Sequence, residues 1–404
     1  MKITRKTFDE CMFPCYNPQD FVIAKAKGVH VYDTQGKEYL DLTSGIGVNS
    51  LGHCPKIIEK TLKKQSRRLV HCSNVFINDK TLELALALKA KTQYERFFFV
   101  NSGAEANEAA LKLARRYAYD VAGEEKDEII AFDHGFHGRT FFTVSVGGQE
   151  KYSSGFGPRP GAITHLPFND VAALKAAVSS KTCAIMVEPV QGEGGVMPAS
   201  AEFMQALRAC ADEVGALLIF DEVQTGNART GTLYAYEQYG VRPDILTTAK
   251  GIGGGLPIGI IMTSTQIASH FGPGTHGSTF GGNPLICACA IEVLKVISSD
   301  KFLHGVQERA QLLHNLLEKV GEHTGMFSEV RGMGMLQGAI LKPEYAGQAG
   351  DIMRFLAGYG VLVLTAGGNI LRFAPALNIK KSTLKQAMKL LEQGLLNYKQ
   401  VKQV

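Results

Sequence analysis

Four short segments of the chain carry residues whose type and spacing could do chemistry, and three of them directly follow an apolar run. In ILTTAKGIGGGLPIG, a β-branched stretch delivers Lys250 to a loop with glycine at four of the next five positions. A lysine that leaves a buried strand in this way loses basicity through desolvation and becomes a nucleophile toward an aldehyde. The same residue could also be an ordinary surface lysine beside a flexible loop. In ALLIFDEVQTG, five apolar residues lead to Asp221, with Glu222 and Gln224 just beyond. A carboxylate at the end of a buried strand needs a cationic partner. A protonated pyridine nitrogen would be one; a helix cap or a structural ion pair would serve as well.

The other two segments suit an anion. FFFVNSGAEANEAALKLARR turns from a strand through Asn101, Ser102 and Gly103 into a helix beginning near Ala104. Free amides at that helix start would face a phosphate, with Ser102 either donating its hydroxyl or simply capping the helix. GTHGSTFGGNP places Ser278 and Thr279 between glycines, where hydroxyls could reach a second face of the same anion or stay in water. Nucleotide motifs fail on spacing, because GIGGGLPIG gives no GxGxxG in any frame and no GxxxxGK[ST] occurs. No metal site is expected. His134 and His137 in DHGFHG lack an HExxH context and fit packing against a ligand or the turn better.

Strand ends matter here because open α/β sheets bind ligands beyond the carboxyl ends of their strands. Short apolar runs (FFFV, IIAF, CAIMVEPV, ALLIF, ILTTA and IGIIMT) alternate with helical or loop segments between positions 97 and 263, which predicts an α/β fold with a mostly parallel sheet covered by helices. After Asn283-Pro284 the rhythm changes. Long helical patterns near 285–299 and 304–323 lead to VRGMGMLQGAIL, a helix near 350–358, VLVLT, ILRFAP and a terminal amphipathic helix. The expected division is therefore residues 46–284 as a large domain and 285–404 as a smaller α+β domain. Residues 1–45, with a hairpin around Gln35-Gly36, should pack beside the smaller one.

With 45% hydrophobic and 20% charged residues and a net charge of +5 spread without blocks, the composition is that of a soluble globular protein and argues against nucleic acid as a partner. No apolar run approaches the ~18 residues of a membrane span. The eight cysteines form no CxxC and several sit in apolar runs, so they are expected to be buried thiols in a reducing compartment, by default the cytoplasm.

Eight motifs occur in one order: YLDLTSGIGVNSLGH, NSGAEANEAALKLARR, FHGRT, VEPVQGEGGV, LLIFDEVQTG, TTAKGIGGG, THGSTFGGNP and VLVLTAGGNILRFAPALN. They run nearly end to end, and the chain resembles the class III pyridoxal-phosphate-dependent aminotransferases of fold type I, most closely their acylornithine branch. The resemblance implies pyridoxal 5′-phosphate as cofactor, held as a Schiff base on Lys250, with Asp221 on the pyridine nitrogen and Gln224 near the ring hydroxyl. It places Val223 and Phe136 on the two ring faces, and Ser102, Gly103 and Ala104 on the phosphate, with Thr279 reaching it from a partner subunit in an obligate homodimer. It also implies that Arg139, with Ser278 nearby, holds the α-carboxylate of the amine substrate. Arg372 would hold that of glutamate or 2-oxoglutarate, and Glu193 would neutralise Arg372 in the other half-reaction. The implied reaction moves the terminal amine of N-acetylornithine or N-succinylornithine to 2-oxoglutarate; ornithine, 4-aminobutyrate or a non-catalytic relative are the alternatives. One departure is visible: Ala228 in QTGNARTG stands where the family usually has glycine, so the turn there is expected to differ slightly.

Overall fold

The computed structural model describes residues 3–402. Its central element is a seven-stranded sheet, ordered in space Arg96–Val100, Gly259–Thr263, Ile245–Thr248, Leu217–Asp221, Thr182–Val187, Glu128–Phe132, Ile163–Leu166. Gly259–Thr263 runs antiparallel to both of its neighbours. The remaining pairings are parallel. Strands buried on both faces read as nearly continuous apolar runs, and Thr182–Val187 and Leu217–Asp221, buried at every position, are apolar except at Thr182 and Asp221. The mostly parallel sheet with helices on both sides matches the expectation from the alternating apolar runs.

Helix Gly103–Ala122 follows the edge strand and lies across the sheet on a stripe of small residues: Ala106, Ala109, Ala110, Ala114 and Ala118 are all buried. Small side chains let the helix axis come close to the strands, and that closeness lets Asn107 on the same face touch the ends of two strands. A larger residue in this stripe would overpack it at a cost of roughly 1–3 kcal/mol.

The C-terminal part forms an antiparallel sheet, Phe327–Met333, Leu336–Leu341, Ile370–Phe373 and Leu364–Thr365, packed with helices Asp300–Thr324, Ala349–Gly358 and Lys381–Lys402. The segment VLVLT, which reads as one strand, divides between two sheets. Val361–Leu362 pairs in parallel with Leu40 and Asp41, whereas Leu364–Thr365 pairs with Leu371 and Arg372. Two halves of one short apolar run thus tie the N-terminal hairpin to the sheet that carries Arg372. The hairpin itself is present, His30–Asp33 against Glu38–Asp41. The second long helix starts at Asp300, earlier than its apolar periodicity suggests, because the polar Ser298-Ser299 pair interrupts the helical path only briefly.

Candidate active site

A cavity of about 490 Å³ opens where the parallel strands end. It is lined by Ser102, Gly103, Ala104, Phe136, Arg139, Asp221, Val223, Gln224 and Lys250, nine residues singled out from the sequence, and by Asn107, His137 and Glu188 among others. Among the described residues no helix is long and apolar enough to cross a membrane, and no group of His, Cys, Asp or Glu is placed to hold a metal ion.

Asp221 closes one end of the cavity and is buried. Its Oδ2 accepts from Asn107 Nδ2 at 2.7 Å and from His137 Nδ1 at 2.8 Å, and its Oδ1 accepts from the Val223 amide at 3.0 Å. Asn107 is fixed in turn, its Oδ1 accepting from Thr247 Oγ1 at 2.6 Å and its Nδ2 also donating to the His137 carbonyl at 2.8 Å. Burial works against the charged imidazole of His137, but the Asp221 carboxylate outweighs it and holds His137 above the ordinary histidine range. Glu188, directly beyond strand Thr182–Val187, accepts from the Phe136 amide at 3.0 Å; burial pushes its carboxyl up to about 8. The Asp221 carboxylate, held by three donors, is prepared to face a cation.

Lys250 stands one residue beyond Ile245–Thr248 plus Ala249, at the start of a tight turn, with φ of +46°. A left-handed backbone at a non-glycine residue costs about 1–3 kcal/mol and persists only where the surroundings over-determine it. Here Asn227 Nδ2 donates to Thr248 Oγ1 at 2.8 Å and to the Ala249 carbonyl at 3.0 Å, while Ser50 Oγ donates to the Gly251 carbonyl at 2.8 Å. Burial lowers the Lys250 amine below its usual range, and the Glu193 carboxylate offsets this only in part. An amine in that state is a nucleophile and a proton carrier.

Helix Gly103–Ala122 begins at the cavity wall, with Ser102, Gly103 and Ala104 lining it. Ser102 caps the helix, its Oγ accepting from the Glu105 amide at 3.2 Å. Among the described residues the amides of Gly103 and Ala104 meet no acceptor, which leaves two donors and the helix dipole for an anion. Gly103 is required by close approach, since a Cβ there would lie 2.6 Å from Val223 Cγ1. Gly138 serves the same cradle from the other side, where a Cβ would sit 2.6 Å from that of Ala104.

The two arginines are in different states. Arg372 is buried, and its Nη1 donates to the Gly192 carbonyl at 3.0 Å, to Gln224 Oε1 at 3.2 Å and to the Glu193 carboxylate. Burial tends to raise the Glu193 carboxyl, but the Arg372 guanidinium prevails and holds it below the usual carboxylate range. Among the described residues, the buried Arg372 Nε has no hydrogen-bond partner. Arg139 is exposed in the cavity wall, pairs with no carboxylate among the described residues, and lies with its Cζ 4.2 Å from the Tyr152 ring centroid.

Ser278 does not line the cavity, but Asn101, which does, donates from Nδ2 to Ser278 Oγ at 3.3 Å. Thr279 is exposed and does not line the cavity of its own chain. Glu222, next to Asp221, faces away and accepts the amides of Ala235 and Tyr236 at 2.6 and 2.8 Å; burial pushes it up to about 7. Ala228 keeps a left-handed backbone despite its Cβ, with φ of +69°, and is fully buried outside the cavity. The cysteine expectation needs correction: Cys183, Cys210, Cys287 and Cys289 are buried, but Cys11, Cys15 and Cys54 are exposed and Cys72 is partly so. The exposed ones lie in loops and turns or at a helix end, where no apolar run pulls them inward.

The sequence reading did not single out Asn107 or Glu188, and it gave His137 no partner. Glu188 carried a usable signal, the same as Asp221: an acid directly after a buried strand. Asn107 was visible only as a lone amide in an alanine-rich helix face, and its partner could not be named before the helix was placed on the sheet.

A flat, phosphorylated ring with a basic nitrogen at one end and an aldehyde on its side fits these groups: amides for the phosphate, Val223 and Phe136 for the faces, Asp221 for the nitrogen and Lys250 for the aldehyde. The chain is 53% identical over 395 residues to an acetylornithine aminotransferase from Vibrio cholerae, which covers 98% of each chain. An N-acetylornithine aminotransferase structure from Stenotrophomonas maltophilia superposes with a TM-score of 0.85 at 37% identity, over 96% of this chain and 98% of that one. An ornithine aminotransferase structure from Toxoplasma gondii superposes with a TM-score of 0.93 at 31% identity, over 98% and 94%. The family described as aminotransferase class III matches residues 14–395, and the chain belongs to it.

Proposed function

We propose that this aminotransferase moves the terminal amine of an Nα-acylornithine, N-acetylornithine or N-succinylornithine, to 2-oxoglutarate, giving the N-acylglutamate semialdehyde and glutamate. The observation that carries the reading is the contrast between a free Arg139 and an Arg372 already neutralised by Glu193. A substrate with no carboxylate beside its reacting amine needs the first arginine and must not be misdirected by the second. Glutamate, with its carboxylate next to the reacting carbon, needs Arg372 and must displace Glu193. The 53% identity to an acetylornithine aminotransferase supports the same substrate class.

Pyridoxal 5′-phosphate, when bound, supplies the aldehyde and an electron-withdrawing ring that accepts charge as the substrate carbon loses its proton. The Lys250 amine, kept neutral more readily by burial, holds the cofactor between turnovers and carries the proton at Nζ. Asp221, held by Asn107 and His137, keeps the ring nitrogen protonated. The amides of Gly103 and Ala104 hold the phosphate, with Val223 and Phe136 on the ring faces and Gln224 beside the ring hydroxyl. Gln224 also touches Arg372, so it couples the ring to the carboxylate site. The exposed Thr279, away from its own cavity, serves the phosphate of a second copy in a homodimer, with Ser278 beside the substrate. The eight unpaired cysteines support a reducing compartment, the cytoplasm.

The test is kcat/KM for acetylornithine, succinylornithine, ornithine and 4-aminobutyrate on one preparation, with 2-oxoglutarate as acceptor. The acylated ornithines should be preferred by at least about tenfold, because ornithine forfeits the acyl contacts. A preference for ornithine or 4-aminobutyrate would refute the substrate class while leaving the chemistry intact.

A further inference from the structure

Arg139 stands in the wall of two cavities. One is the site described above; the other, of about 420 Å³, is lined by Arg139, Phe141, Val144, Tyr152, Phe156 and Gly157. Nothing in the proposed chemistry uses the second cavity, and its wall carries exposed aromatic surface: Phe141 is 51% and Phe156 61% exposed. Its back wall is ordered. Val144 is buried, and Tyr152 meets Phe136 edge-on with centroids 5.6 Å apart, linking this cavity to the ring face of the first. Tyr152 lies within reach of two cations, Arg139 Cζ at 4.2 Å and Lys151 Nζ at 4.6 Å from its centroid.

We infer that this second cavity is the binding site for the N-acyl group of the amine substrate, and that Phe156, Phe141 and Tyr152 select for acylation. The inference rests on the proposed acylornithine reading and deepens it. The acylamino group and the carboxylate sit on the same carbon of such a substrate. If Arg139 holds the carboxylate, the alkyl chain must run toward Lys250 through the first cavity, so the acyl group leaves that carbon in another direction while staying within a few bonds of Arg139. The cavity on the other side of Arg139 is the space that meets this condition, and its aromatic walls match an aliphatic acyl chain. It has room for more than an acetyl group, since a water-sized group fills only ~30 Å³. The Lys151 ammonium beside Tyr152 supplies a charge for an acyl chain that ends in a carboxylate, as succinyl does.

Phe156→Ala and Lys151→Glu test the assignment; both residues are largely solvent-facing, so their loss should not unfold the protein. The readout is a ratio of kcat/KM values within each variant, which a general loss of activity does not move. Phe156→Ala should lower the acetylornithine-to-ornithine ratio on the order of tenfold, the scale of losing an apolar contact in a specificity pocket. Lys151→Glu should lower the succinylornithine-to-acetylornithine ratio by a similar factor. An unchanged acetylornithine-to-ornithine ratio in Phe156→Ala, in a preparation whose wild type prefers acetylornithine, overturns the pocket assignment alone. An unchanged succinyl-to-acetyl ratio in Lys151→Glu overturns the role of Lys151. A wild type that prefers ornithine overturns the substrate class on which the inference depends.

Discussion

Replacing Glu193 with glutamine would keep the shape of the side chain beside Arg372 and remove its charge. In the structure Arg372 Nη1 is shared among the Gly192 carbonyl, Gln224 Oε1 and the Glu193 carboxylate, and the two charged side chains are only 3% and 21% exposed. Solvent therefore screens this pair weakly. A hydrogen bond to a charged partner contributes about 1.5–3 kcal/mol and a neutral one about 0.5–1.5, so the substitution frees Arg372 by roughly 1–1.5 kcal/mol, close to a factor of ten. Single-turnover rates for each half-reaction read the consequence separately. In Glu193→Gln the acylornithine half-reaction should slow by about tenfold, because an unmasked Arg372 draws the substrate carboxylate to the wrong place, while the glutamate half-reaction holds or improves. Arg372→Ala should show the reverse, with the glutamate half losing on the order of a hundredfold. The pH dependence has a definite sign. The Glu193 carboxyl is held below its ordinary range, so the pair is intact above that range and is lost as pH falls through the lowered folded-state value. Acid should therefore depress the acylornithine half-reaction of the wild type and leave that of Glu193→Gln less affected. Equal losses in both half-reactions for Glu193→Gln would refute the division of labour between the arginines.

Three further outcomes are expected. His137→Phe, which removes one of the donors to Asp221 Oδ2, should lower kcat by about tenfold with the cofactor retained, and Asp221→Ala by more than a hundredfold; a near-normal kcat in folded Asp221→Ala would exclude its role at the ring nitrogen. Ala228→Gly should leave stability to urea within about 1 kcal/mol, since relief of a left-handed alanine (roughly 1–2 kcal/mol) is offset by glycine's chain entropy and the loss of a buried methyl, whereas Ala228→Val should cost about 2 kcal/mol or more. Mixed dimers of Lys250→Ala with an impaired Thr279→Ala chain should regain part of the activity, because half the composite sites then carry neither lesion; hybrid dimers that form without any recovery would contradict a shared site.

The residues that read clearly from the sequence share one physical origin. Asp221 and Lys250 each follow a run of apolar residues long enough to be a buried strand, and a parallel sheet presents the ends of its strands on one side, so the sequence position fixes the place in space. The helix start at Ser102–Ala104 follows from the same logic at the edge strand. What could not be read needed the docking of one element on another. Asn107 meets Asp221 only because an alanine stripe lets its helix close on the sheet, and VLVLT divides between two sheets according to which partner strands are near. The four cysteines that are not buried show the limit from the other side, since an unpaired thiol without an apolar context says little about its depth. At Ala228 local propensity was overruled: Asn227 and Arg229 on either side are both buried and hydrogen-bonded, and they hold the turn left-handed through an alanine.

Whether Lys250 carries the cofactor is decided by chemical trapping. The purified, cofactor-loaded protein is reduced with borohydride, digested, and the pyridoxyl-labelled peptide sequenced by mass spectrometry. One label is expected, on Lys250 in TTAKGIGGG, and it should disappear together with the visible absorption band and turnover in Lys250→Ala. A label of comparable yield on any other lysine, or turnover that survives in Lys250→Ala, would contradict that role of Lys250.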